Sequence, residues 1–238
     1  MRFSIILYIS IFTTNICHAQ LSFKINTGYS YNHLITDVSN RTFTKNVDEI
    51  GYSIGLQLNY SLSKSIILET GICWIQKNYS FRRTGTYVGI YDQFTNNYLQ
   101  IPFTLQLKVF EKKKWQVFLN IGSFVSYLTN VKVNGVIPNP FNTMNQLDIE
   151  GQEVLDFYFT NYSKEYHFNS LKENLYEFGL LTGLGLQYNL NEKIAFILDY
   201  RLYQSLTDTQ RKHISNHISK INQTYVLSIG LIFKSRKK

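Results

Sequence analysis

Six ionisable side chains sit on the polar parity of otherwise apolar stretches and are the first candidates for chemistry: Glu69, Lys77, Lys108, Glu177, Asp199 and Arg201. Acids and cations gathered on one sheltered face can relay a proton or ion, or they can neutralise one another in pairs. A lone buried carboxylate is costly, so Arg201 is predicted to pair with Glu69, Glu177 or Asp199, and the group to fill space rather than conduct. Other constellations are thinner. His213 and His217 lie four apart, a ligand-like spacing on a helix, without acidic or cysteine partners beside them. Asp148, Glu150, Glu153 and Asp156 form an acidic patch that lacks the ordered spacing and glycine turn of a calcium loop. No metal and no cofactor is expected. GxSxG, P-loop and HExxH patterns are absent, and no spacing ties the scattered Ser, His and carboxylates into a triad. These observations predict a protein without enzymatic activity.

What must position these residues is a pattern of period two. Ile54, Leu56, Leu58 and Tyr60 alternate with Ser53, Gly55, Gln57 and Asn59, which describes a β-strand with one apolar face. Eight such stretches follow one another, at about Leu21–Leu34, Glu49–Leu62, Ile66–Arg82, Asn97–Phe110, Trp115–Thr129, Glu177–Tyr188, Phe196–Leu202 and Tyr225–Phe233. Short turns at Ser61–Ser65, Glu111–Lys114 and Asn189–Lys193 alternate with long connections over Ile35–Asp48, up to Asn96, over Asn130–Asn174 and over Thr207–Asn222. An up-and-down closed sheet would collect all short turns at one end and all long connections at the other. The Asn130–Asn174 stretch is long enough to be functional or to hide another hairpin. Val154–Tyr162 is strand-like, so ten strands is the alternative count. Pro102 cannot donate to a ladder and predicts a bulge or local irregularity in the fourth strand.

The face opposite the apolar one carries Gly28, Gly51, Gly55, Gly71, Gly122, Gly179, Gly183, Gly185 and Gly230, with few charges. That suits the crowded lumen of a narrow barrel better than a surface in water. The fold class is therefore all-β: an eight-stranded antiparallel up-and-down transmembrane β-barrel whose apolar face meets lipid. A soluble lipocalin-like barrel, apolar inside and holding a ligand, is one alternative. An outer-membrane enzyme of lipid-A deacylase or protease type, with its site on the rim, is another. About 16 strands are needed for a wide aqueous channel, which excludes a general porin. Aromatics make up 16% of the chain, and Tyr29, Tyr31, Tyr60, Trp74, Trp115, Tyr127, Tyr188 and Phe233 stand where interfacial girdles would be.

Residues 1–19 read as a secretory signal peptide, with Arg2, an apolar Ile5–Phe12 and a small-x-small Cys17-His18-Ala19 site. This leaves 20–238 as an outer-membrane barrel domain, with Cys73 as its one cysteine and no disulfide. The net charge of +8 gathers at Lys112-Lys113-Lys114, Arg211-Lys212 and Arg236-Lys237-Lys238. These are read as solvated turns near anionic head groups, not as a nucleic-acid site. The expected partners are outer-membrane lipid and a protein partner reached through residues 130–174. Nothing in the pattern fixes an oligomeric state.

Three motifs carry a family resemblance: YLQIPFTLQLKVF (Tyr98–Phe110), EFGLLTGLGLQYNL (Glu177–Leu190) and LDYRLYQSLTD (Leu198–Asp208). They resemble the tyrosine-x-x-isoleucine-proline strand, the glycine-rich acidic-x-glycine strand and the Asp-x-Arg strand of PorT-like outer-membrane β-barrel proteins of Gram-negative bacteria. Ser205 stands where that family has Gly. The resemblance implies an eight-stranded barrel, and for some relatives a part in type IX protein secretion. The motifs themselves describe only a barrel wall.

Overall fold

The computed structural model describes residues 21–36, 43–147, 153–166, 173–211 and 218–235. The expected signal peptide, Asp148, Glu150, His213, His217 and the basic run after Ser235 lie outside the described residues. Ten strands form: β1 (Leu21–Thr36), β2 (Thr44–Ser61), β3 (Ile66–Gln76), β4 (Tyr79–Arg83), β5 (Tyr91–Lys112), β6 (Trp115–Leu147), β7 (Glu153–Glu165), β8 (Tyr176–Asn189), β9 (Ile194–Ser205) and β10 (Lys220–Lys234). Eight of them close a ring in the order β1-β2-β3-β5-β6-β8-β9-β10, with every pairing antiparallel. The barrel is thus eight-stranded, and the two further strands stand outside the basic ring. β4 prolongs β3 beyond Lys77 and Asn78 and takes over its place between β2 and β5. Among the described residues, β7 pairs with β6 alone.

The burial pattern is inside out relative to a water-soluble protein. Phe23, Ile25, Ile54, Leu56, Phe103, Leu184 and Leu227 are exposed on the outer face, while Lys24, Gln57, Glu69, Gln100, Asn120 and Asp199 are buried in the lumen. Alternation generates both faces at once, because successive side chains of a strand point to opposite sides. No helix among the described residues is long and apolar enough to cross a membrane.

Three local features depart from the simple alternation. First, the strands run past the expected boundaries at the long-loop end. β5 starts at Tyr91 rather than Asn97, and β6 continues to Leu147 through what was expected to be loop. Backbone N–H and C=O groups need partners, and a prolonged ladder supplies them. Residues 130–174 therefore hold a β6–β7 ribbon. Its lower rungs, Lys132↔Glu165 to Val136↔Asn161, lie beside β5, and the rest projects past Tyr91, where β5 begins. Second, the bulge expected at Pro102 lies elsewhere: Pro102 stays in register with Phe124, and shifts occur at Asn97/Tyr98 and Lys108/Phe110. The irregularity at Pro102 is a gap in the ladder to β3, which breaks off between Thr70↔Phe103 and Cys73↔Gln100 without changing register. Third, parity inverts on β6: Ser126 and Leu128 are buried, followed by Val131 and Val133. The inversion marks one extra residue, Thr129, between the pairs Tyr98↔Leu128 and Asn97↔Asn130.

Candidate functional site

The lumen is built of inward-facing residues from every strand of the ring, and its charges form two groups. In the first, Arg201 of β9 holds Asp199 through Nε at 2.9 Å and Nη2 at 2.5 Å, both to Oδ2. Its Nη1 lies 2.6 Å from Glu69 Oε1 of β3. Lys24 of β1 pairs with Glu69 and lies 3.2 Å from Asp199 Oδ2. Amides complete the carboxylates: Gln106 donates to Glu69 at 2.8 Å and Asn120 donates to Asp199 at 2.9 Å. The second group lies nearer the long-loop end. There Lys77 Nζ, at the β3–β4 junction, is 2.9 Å from Glu177 Oε2 of β8. Its ammonium stands 4.8 Å from the ring centroid of Tyr98 and 4.7 Å from that of Phe124.

Charge inside the lumen therefore cancels: Lys24, Lys77 and Arg201 face Glu69, Glu177 and Asp199, all essentially without solvent contact. Of the three partners expected for Arg201, the structure supplies Glu69 and Asp199; Glu177 is held by Lys77 instead. Lys108 belongs to neither group. It stands at the short-turn mouth, 3.1 Å from Glu111, because the register shift at Lys108/Phe110 ends the regular inward row there. Lys24 was missed as a site residue. Its signal was present, since it shares a parity with Asn26 and Gly28 on an otherwise uncharged inner face.

Over the charges lies a plug of apolar and aromatic side chains, including Ile75, Tyr98, Phe124, Leu128, Leu181 and Tyr203. Phe124 meets Tyr203 edge-on at 5.3 Å. Above the plug, at the long-loop end, opens a recess of about 200 Å³ walled in part by Tyr79, Phe94, Tyr98, Tyr166 and Lys220. Outside the lumen at the same end, Asp48 accepts from Tyr31 at 2.8 Å and contacts His33 Nδ1 at 3.0 Å. Among the described residues, no group of His, Cys, Asp and Glu is arranged to hold a metal ion. The acidic patch is divided: Glu153 and Asp156 belong to β7, and its other members lie outside the described residues.

Comparison with known proteins agrees with this geometry. No curated protein sequence matches the chain. Among solved structures it is similar to the outer membrane protein OprG of Pseudomonas aeruginosa, at 15% identity and a TM-score of 0.51, over 92% of this chain and 98% of that one. It is also similar to Ail, the attachment invasion locus protein of Yersinia pestis, at 15% identity and a TM-score of 0.42, covering 90% and 99%. Neisserial surface protein A matches at 10% identity and a TM-score of 0.45, covering 90% and 97%. Residues 17–211 match the family model for the outer membrane protein beta-barrel domain. That match spans most of the chain, and this chain belongs to the outer membrane protein beta-barrel domain family.

Proposed function

We propose that the protein is a non-enzymatic outer-membrane barrel whose lumen is closed and whose work is done by contacts at the long-loop end, chiefly through the β6–β7 ribbon. The carrying observation is the Lys77 ammonium, buried between Glu177 and the rings of Tyr98 and Phe124 across the middle of the lumen. A cation held by a carboxylate and two aromatic faces keeps its position without water, and the apolar plug stands directly over it. In outer-membrane barrels short turns face the periplasm and long loops the exterior, so the ribbon would project from the cell. The resemblance of three strand motifs to PorT-like proteins supports extending this reading to a role beside a secretion machinery.

Planar-bilayer recording of the purified barrel tests the closed lumen: no large, stable channels are expected, and their appearance would refute it. The contact role is tested by replacing residues 137–160 with a two-residue turn joining Val136 to Asn161, which are partners across the ribbon. Proteins captured from outer membranes by the intact chain should be lost while the barrel remains folded. Unchanged capture would remove the ribbon from the account.

A further inference from the structure

At the short-turn end, one sector of the outer rim gathers positive charge directly over the apolar wall. A tight turn of Lys113 and Lys114 joins β5 to β6 there, between the partners Lys112 and Trp115. Residues that pair across a ladder share a face, and Trp115, 46% exposed, faces outward, so Lys112 does too. The same row runs on along the wall as Tyr188 of β8 and Phe196 of β9. The rings of Trp115 and Tyr188 lie 4.7 Å apart, and the Lys114 ammonium stands 5.9 Å from the Tyr188 centroid. One row deeper come Phe110, Val117, Leu186 and Leu198, part of the lipid-facing surface.

Backbone economy does not account for these lysines. Tight hairpin turns favour Gly, Asn or Asp because they need positive φ, yet Lys113 holds φ at +53°, a region uncommon for other residues. An acidic neighbour does not account for them either. Glu111, next in the chain, is held by Lys108 at 3.1 Å and by Gln116, and among the described residues Lys112, Lys113 and Lys114 make no ion pair. The long-loop end differs, since Lys45, Arg82 and Arg83 are mixed there with Asp48, Glu49 and Asp92. Ammonium groups that crown an aromatic row, with an apolar row beneath, match a molecule whose anionic head leads its apolar chains. A soluble anion would leave the wall below unused.

We propose that Lys112, Lys113 and Lys114, with Trp115 and Tyr188, form a binding site for an anionic phospholipid, its phosphate on the ammonium groups and its chains on the row of Phe110, Val117, Leu186 and Leu198. The site rests on the membrane-spanning fold and is independent of the contact role at the other end. Trp74→Phe leaves Trp115 as the sole tryptophan, a reporter inside the site. The full chain carrying that change is folded into bilayers of phosphatidylglycerol and phosphatidylcholine in equal amounts, with bromine on the upper acyl chains of one lipid or the other. Bromine quenches only a neighbouring tryptophan, so the two samples report which lipid lies against Trp115. Phosphatidylglycerol is expected to be enriched about five-fold there, from attraction to lysines at the membrane surface. Adding Lys112→Gln, Lys113→Asn and Lys114→Gln should bring the ratio close to parity, whereas Lys64→Gln, on a different turn, should leave it unchanged. Asn tolerates positive φ, so the triple change should keep the gel migration of the folded barrel. If it does not fold, salt decides: at about 1 M the Debye length falls to about 3 Å, and the unaltered site should lose most of its preference. Equal quenching by both lipids, or a preference that survives the triple change or the salt, would overturn the proposal. A preference lost equally with Lys64→Gln would also overturn it, by reducing the site to diffuse surface charge.

Discussion

Lys24 joins the two carboxylates that Arg201 also holds, so the four-charge cluster balances only while both cations are present. Lys24→Met leaves two acids facing one cation in a space closed to bulk solvent. Breaking such a buried pair costs about 3–5 kcal/mol, which should appear as a lower urea midpoint for loss of the folded gel form. Lys108→Met, which releases a Glu111 that is 52% exposed, should cost under about 1 kcal/mol. Equal losses at both sites would contradict the assignment. The lumen glycines divide in the same manner. A Cβ on Gly122 would sit 2.0 Å from the Phe103 carbonyl oxygen, whereas one on Gly185 would meet nothing closer than 3.6 Å. Gly122→Ala must push β5 and β6 apart and is expected to destabilise by about 1–3 kcal/mol; Gly185→Ala should leave the urea midpoint nearly unchanged.

At the level of the elements, a long side-chain reach from β7 to β5 adds to the β5–β6 ladder that holds the base of the β6–β7 ribbon. Tyr162 of β7 passes over Gly135 of β6, whose added Cβ would strike the ring at 2.7 Å, and donates its hydroxyl to Asp92 of β5. Burial, then the bond to Asp92, pushes the Tyr162 phenol up to about 12. A folded value above the unfolded one means that this link contributes fully below about pH 10 and is lost as pH rises through about 12. Difference absorbance of tyrosinate between the intact chain and Tyr162→Phe should therefore show one group titrating near 12; a group near 10 would remove the bond. The same variant should speed proteolysis of the ribbon, by the loss of about 0.5–1.5 kcal/mol, without altering the barrel's urea midpoint. Strand order and parity were legible in the sequence because lipid and lumen impose opposite polarities on successive residues. The parity inversion after Leu128 was not, since an extra residue in one strand leaves local composition unchanged. Val154–Tyr162 announced a strand, but its continuation of the β8 column depends on where β6 outruns β8. Lys108 keeps the inner parity, paired with buried Phe118, and counting by twos could not show that the regular inner row ends just beyond it.

The molecule as a whole carries its greasy surface on the outside and its charges on the inside, so it should be stable only where lipid or detergent covers the wall. The folded chain is expected in outer-membrane fractions and should migrate differently in detergent gels before and after boiling; a chain soluble without detergent would contradict the architecture. The four-charge cluster also bears on ancestry. Lys24, Glu69, Asp199 and Arg201 come from three strands far apart in the gene, yet losing any one strands the others. A lineage drifting from this barrel can exchange one apolar residue for another along the outer wall with little consequence. At these four positions it must replace charges together, so they should pass to descendants as a block, kept or discarded whole.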